Sequence, residues 1–149
     1  MPTPKIEKQE KETKKEVGKT GTYYYGLGRR KTSVARVRLF ANGSGKLTVN
    51  GKDYKIFYSY PLYAQNLELP FEAVGLAGKV NADIKVIGGG LQSGSEACRL
   101  GIARALIKMT DSYKPVLRSN GYVTRDPRAK ERKKPGLKKA RRAPQWAKR

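Results

Sequence analysis

Ala82-Asp83-Ile84-Lys85-Val86-Ile87-Gly88-Gly89-Gly90 runs directly into Leu91-Gln92-Ser93-Gly94-Ser95-Glu96-Ala97-Cys98-Arg99-Leu100-Gly101-Ile102-Ala103-Arg104-Ala105-Leu106-Ile107-Lys108-Met109, and the hydrophobic period changes between the two. In the first part Ala82, Ile84 and Val86 alternate with Asp83 and Lys85, the period-two pattern of a half-buried strand. Three glycines break that strand. In the second part Cys98, Ile102, Ala105, Leu106 and Met109 recur on one face of a helix, while Arg104 and Lys108 fall elsewhere and are expected to stay solvated. Ser93 and Glu96 have the spacing of a capping box, which predicts mutual satisfaction of exposed N–H groups at the helix start. A strand feeding a long amphipathic helix implies a sheet covered by helices.

Upstream, Tyr23-Tyr24-Tyr25 and residues 32–40 also read as strand, with Ala35, Val37 and Leu39 alternating with Arg36 and Arg38. Asn42-Gly43-Ser44-Gly45 is turn chemistry, and Leu47 and Val49 resume the alternation, so a hairpin is expected there. Asn50-Gly51 marks a further turn. The segment from Asp53 to Gly75 is expected to be helical, opened by Pro61, with Leu62, Leu67 and Leu69 available for packing. Pro115 predicts one more short helix before Asn120-Gly121. Together these predict an α/β (α+β) two-layer sandwich.

Charge divides the 149 residues into three zones. Residues 1–21 carry six Lys and four Glu with few apolar side chains, a composition that predicts a disordered extension. Residues 22–121 hold nearly all the apolar periodicity and form the expected globular body. Residues 122–149 are a long basic tail. Residues 118–149 alone carry 13 Lys and Arg against two acids, more than half of the chain's net charge of +21. Charge of that size calls for a polyanionic partner. A membrane is not expected, because no apolar run approaches the roughly 18 to 20 residues that span a bilayer. The N-terminus shows no apolar signal-peptide core, so a cytoplasmic protein is expected.

Catalytic classes fall away on composition. There is no His and a single Cys98, which removes Ser-His and Cys-His nucleophile systems, internal disulfides and zinc clusters, and leaves Cys98 as an expected buried, inert thiol. The triple glycine meets neither the P-loop nor the dinucleotide pattern, since Ser93 stands where the latter needs glycine. A tight strand-to-helix turn is the reading preferred over a phosphate contact. Glu68, Glu72 and Asp83 are taken as solvated surface acids rather than a general acid and base. No cofactor, metal or small-molecule substrate is expected.

The basic runs carry the remaining signal. Arg29, Arg30 and Lys31 stand at a strand junction downstream of the tyrosines, where arginine can fork onto phosphates or stack on unpaired bases. The three tyrosines themselves are expected to alternate between core and surface. In the tail Arg125 and Arg128, then Arg132, Lys133 and Lys134, then Lys138, Lys139, Arg141 and Arg142 come with almost no apolar anchors except Leu137 and Trp146. Such a segment is expected to order on its partner. The 26 residues from Thr124 to Arg149 could reach roughly 85 Å fully extended, against a radius of gyration of about 13 Å for a 100-residue body.

Three ordered motifs support a family resemblance. They are Tyr25-Gly26-Leu27-Gly28-Arg29-Arg30-Lys31-Thr32-Ser33-Val34-Ala35-Arg36, the glycine loop with Gly101-Ile102-Ala103-Arg104-Ala105-Leu106, and Arg125-Asp126-Pro127-Arg128 followed by the ending Gly136-Leu137-Lys138-Lys139-Ala140-Arg141-Arg142-Ala143-Pro144-Gln145-Trp146-Ala147-Lys148-Arg149. From about Tyr23 to the end the chain resembles the small-subunit ribosomal protein S9 family in its bacterial form. The resemblance implies a body of the ribosomal protein S5 domain 2-like type in the head of the subunit. It also implies contacts with small-subunit ribosomal RNA and neighbouring ribosomal proteins, and a tail end that meets peptidyl-site tRNA through Arg149, with Lys148 beside it. Two positions depart from the family: Ser93-Gly94 stands where members usually read Gly-Gln, and Trp146-Ala147 where they usually read Phe-Ser. A phosphoryl-transfer enzyme using the glycine loop and a free nucleic-acid-binding module are the competing readings.

Overall fold

A computed structural model describes residues 22–147. The expected disorder of residues 1–21 and the roles of Lys148 and Arg149 lie outside the described residues. In chain order the elements are β1 (Tyr24–Arg30), β2 (Ser33–Phe40), β3 (Leu47–Val49), β4 (Lys52–Asp53), α1 (Tyr54–Phe57), α2 (Pro61–Ala73), β5 (Asn81–Ile87), α3 (Leu91–Met109), a short 3-10 turn (Asp111–Tyr113) and α4 (Lys114–Ser119). The five strands form one sheet in the order β1-β2-β5-β3-β4, with the helices on one side. The S5 domain 2-like, two-layer expectation agrees with this arrangement.

The expected hairpin between β2 and β3 does not form. β2 pairs instead with β1 and β5, both antiparallel, and β3 runs parallel to β5 on its far side. The loop of residues 41–46 steps across the entrance of β5, where Asn81 holds it. Its Oδ1 accepts from the backbone N–H of Ser44 at 2.9 Å and of Lys46 at 2.8 Å. Alternation places a strand on a face but does not name its neighbour, so a strand from forty residues downstream could enter the gap. The hairpins that do form are β1–β2, turning at Lys31 with φ 51°, and β3–β4, turning at Asn50 and Gly51 with φ 51° and 78°. Positive φ at both turn residues suits Asn-Gly.

The core lies between sheet and helices. Ala35, Val37 and Leu39 of β2, Val49 of β3, and Ala82 and Ile84 of β5 meet Leu67 and Phe71 of α2 and Ala97, Cys98, Ile102, Ala105 and Leu106 of α3, all buried. Leu67 is buried as expected and Leu69 half-buried, but Leu62 is exposed. Of the three tyrosines, Tyr24 packs against the core while Tyr23 and Tyr25 face outward.

Two expectations at α3 need correction. The helix starts at Leu91 with Gly90 as its cap, so Ser93 is the third helical residue, in the first turn, and not the cap. Its hydroxyl accepts from the Gly90 N–H at 3.1 Å, and Glu96 turns away to Arg30. Arg104 is half-buried rather than solvated, and its Nη1 donates to the Leu27 carbonyl at 2.8 Å, occupying an acceptor on the open edge of β1.

Candidate nucleic-acid interface

The β1–β2 turn and the root of the tail are built as one unit. β1 carries Arg29 and Arg30 to the turn, where Arg29 and Lys31 are exposed. Arg30 has only 11% of its side chain exposed. Its Nε donates to Glu96 of α3, its Nη2 lies 2.9 Å from Asp126, and its Nη1 donates to the Arg128 carbonyl at 2.8 Å. The guanidinium fork therefore points into the protein and joins three segments: the hairpin, the first half of α3, and the start of the tail. Arg125-Asp126-Pro127-Arg128 stood out in the sequence for its cations, whereas the structure gives Asp126 the joining role. An acid between two arginines was the available signal.

Asp126 also accepts from Arg128, from its backbone N–H at 2.9 Å and in a bidentate fashion from its guanidinium at 2.8 to 3.1 Å. These hydrogen bonds, with the charges of Arg128 and Arg30, hold the Asp126 carboxyl well below the usual carboxylate range. A folded-state pKa below the unfolded value stabilises the docked tail root above an ordinary carboxylate pKa of about 3.9, and that contribution is lost as pH falls towards the depressed value. In a denaturant series from neutral to acid pH, Asp126→Asn should therefore lie below the parent at neutrality. The two midpoints should converge only well below pH 4 or so. Identical curves for the two proteins would show that Asp126 does not anchor the tail.

Beyond Arg128 no regular element forms among the described residues. Glu131 accepts from Lys134 and from Arg141, each at 2.8 Å, which draws the chain into a loose turn at Gly136 (φ 79°). Those contacts lower the Glu131 pKa. Arg125, Arg132, Lys133, Lys138, Lys139 and Arg142 are exposed and take part in no ion pair among the described residues. Leu137 is half-buried and Trp146 is 90% exposed, so the tail has almost no core of its own.

Close packing fills the glycine loop. In the glycine loop Gly88 and Gly89 adopt positive φ, and a Cβ on Gly89 would lie 1.9 Å from the Ser33 hydroxyl. Ser33 Oγ donates to the Gly88 carbonyl at 3.0 Å and lies 2.7 Å from Ser93 Oγ, so the loop's hydroxyls are satisfied internally. This is the close-packed strand-to-helix turn. Glu68 accepts from the buried Tyr54 hydroxyl, and both line a cavity of about 250 Å³ whose wall includes no residue of the glycine loop. Cys98 is buried, its thiol pushed up to about 12 by burial, with Tyr58 Oη 3.6 Å away. Among the described residues no cluster of acids and Cys could hold a metal, and no helix is long and apolar enough to cross a membrane.

Known proteins resemble this chain over most of its length. The profile of the family described as Ribosomal protein S9/S16 matches residues 28–149. The small ribosomal subunit protein uS9 of Nostoc punctiforme is 50% identical over 127 residues, covering 85% of this chain and 91% of its own. That of Thermotoga maritima is 52% identical over 129 residues, covering 85% and 96%. The uS9c protein of Cyanophora paradoxa is 49% identical over 132 residues, covering 88% and 98%. On a profile match over most of its length and on relatives sharing about half of its residues, this chain belongs to the ribosomal protein S9/S16 family.

Proposed function

We propose that the chain is a structural constituent of the small ribosomal subunit, held in ribosomal RNA by its hairpin turn and its tail, with the tail end reaching peptidyl-site tRNA. Its family is one of ribosomal proteins and not of enzymes. The observation that carries the RNA reading is the tail. Exposed cations from Arg125 to Arg142 stand on a segment without regular structure, anchored to the body at Arg30. Such a segment gains affinity by releasing counterions from phosphates and orders as it binds. In this reading Arg29, Lys31, Arg125, Arg128, Arg132, Lys133, Lys134, Lys138, Lys139, Arg141 and Arg142 meet ribosomal RNA, and Arg30 aims the tail. Residues 22–121 are the body and 122–149 the tail. The location is the ribosome in the cytoplasm, among other proteins of the subunit head.

Arginine suits the chain end because its planar fork grips phosphate oxygens bidentately and stays charged near neutral pH. Tagged protein from a lysate, sedimented through a sucrose gradient after a high-salt wash, should comigrate stoichiometrically with small subunits. Recovery only among free proteins would overturn the ribosomal reading and turn attention to nucleotide and DNA binding. Deleting Lys148 and Arg149 should leave comigration intact and speed tRNA dissociation from the peptidyl site, because the other tail cations remain. Unchanged tRNA off-rates would remove the role of the tail end.

A further inference from the structure

The sheet has a second face. Along β2 the buried residues Ala35, Val37 and Leu39 point to the helices, which leaves Arg36 and Arg38 on the other side. Along β5, Ala82 and Ile84 are buried and Lys85 is exposed. On β1 it is Tyr25, Leu27 and Arg29 that turn away from α3. The strand register then decides which of these meet. Arg36 stands directly opposite Lys85, Tyr25 directly opposite Arg38, and Arg38 opposite Asp83. Thr48 donates to Asp83 at 3.2 Å and stands opposite Asp53 of β4, so the two acids on the face lie to the β3 side of Arg38. Arg36 and Lys85 face each other with no acid in the register between them. Among the described residues neither they nor Arg38 enter an ion pair.

Like charges directly opposite on neighbouring strands weaken a sheet. Here they sit near its centre, on β2 and β5, which pair over seven positions. We infer that the open face of the sheet, centred on Arg36, Arg38 and Lys85, is a second RNA-binding surface, separate from the tail. A phosphate backbone laid across β2 and β5 supplies the missing counter-charge. The rim offers rings for unpaired bases: Tyr25 is 38% and Tyr23 49% exposed, and the Arg38 guanidinium lies 5.5 Å over the Tyr23 ring. A protein partner fits the face less well, because the centres of protein–protein interfaces are depleted of charge and this centre is cationic. The inference rests on the ribosomal reading above, and names where on the body that RNA lies.

The test measures binding of the full chain to protein-free small-subunit ribosomal RNA across a salt series. Neutralising three phosphate contacts with the triple variant Arg36→Gln, Arg38→Gln, Lys85→Gln should make the slope of log affinity against log salt shallower by about 2. That corresponds to roughly 100-fold weaker binding at about 0.1 M salt. The single variant Lys85→Glu gives a readout that misfolding cannot imitate. It places an acid opposite Arg36, so the melting temperature should rise while RNA affinity falls. Tail variants at Arg132, Lys133 and Lys134 serve as the control. If these weaken binding while both sheet variants keep the parent slope, the sheet-face inference is overturned and the RNA reading stands. A parent that shows no salt-dependent binding overturns both. Parent slopes combined with loss of the variants from small subunits would assign the face to a protein neighbour, again against the inference.

Discussion

Removing residues 129–149 leaves a folded body and makes the salt dependence of ribosomal RNA binding shallower by about 6. That value takes about eight neutralised phosphates at roughly 0.7 each on single strands. The deleted segment holds ten Lys and Arg and one acid, so about eight contacts allow for Glu131 and for one further cation that finds no phosphate. The cut spares Asp126 and Arg128, so the contacts of Arg30 with Glu96, Asp126 and the Arg128 carbonyl survive. Apart from the half-buried Leu137 and Ala140, the described residues removed are exposed. The melting temperature should therefore stay close to the parent's, since changes away from packed sites stay within about 0.5 kcal/mol. Thermal melting by circular dichroism and a filter-binding salt series read the two halves of this result. A truncated chain that binds with the parent slope would show that the body, not the tail, is the main electrostatic anchor.

How far the sequence could be read depended on whether a feature was local. The strands containing Ala35, Val37 and Leu39 and Ala82 and Ile84, the turn at Asn50-Gly51, the start of α2 at Pro61 and the apolar face of α3 were all legible, because each is encoded within a few residues of itself. The order of strands was not. Nothing between Phe40 and Leu47 announces that Asn81 will collect the loop and that β5 will enter beside β2. The same limit hid the sheet-face cations. Alternation put Arg36 and Arg38 on the solvent side, but only the register with β5 brings Lys85 opposite Arg36. In the tail the cations were obvious and the acid was not. Asp126 matters through Arg30, 96 positions away, and Glu96 was assigned to a helix cap when its partner is that same arginine. The other surprise on α3 is Arg104, whose long stem lets it reach past the edge of β1 to a carbonyl.

Replacing Gly28 with alanine should cost the fold about 3 kcal/mol or more, because α3 rests on β1 with no room for a methyl group. Gly26 and Gly28 both face the helix, and Gly101 faces them from α3. A Cβ at position 28 would lie 1.9 Å from the Ala97 carbonyl oxygen and 2.6 Å from the Gly101 nitrogen. At position 26 it would lie 2.0 Å from the Gly101 carbonyl oxygen. These obstacles are backbone atoms of a buried helix, not side-chain ends that can swing aside. Relief requires the whole helix to lift from the sheet, which would open the layer containing Val37, Cys98 and Ala105. For a body of about 100 residues such a loss lowers the melting temperature by roughly 15 °C. Gly90→Ala is the matched control, since nothing lies within 4 Å of its Cβ position and its φ of −102° suits any residue. It should lose only about 1 kcal/mol, the ordinary cost of alanine at a helix cap, and so melt well above Gly28→Ala. The consequence extends to function, because Glu96 rides on the same helix and is one of the three groups that hold Arg30. Lifting α3 loosens the tail root, so Gly28→Ala should also raise amide exchange at residues 125–128, far along the chain from the substitution. A Gly28→Ala protein with the parent's melting temperature would mean that helix and strand are not in the close contact described.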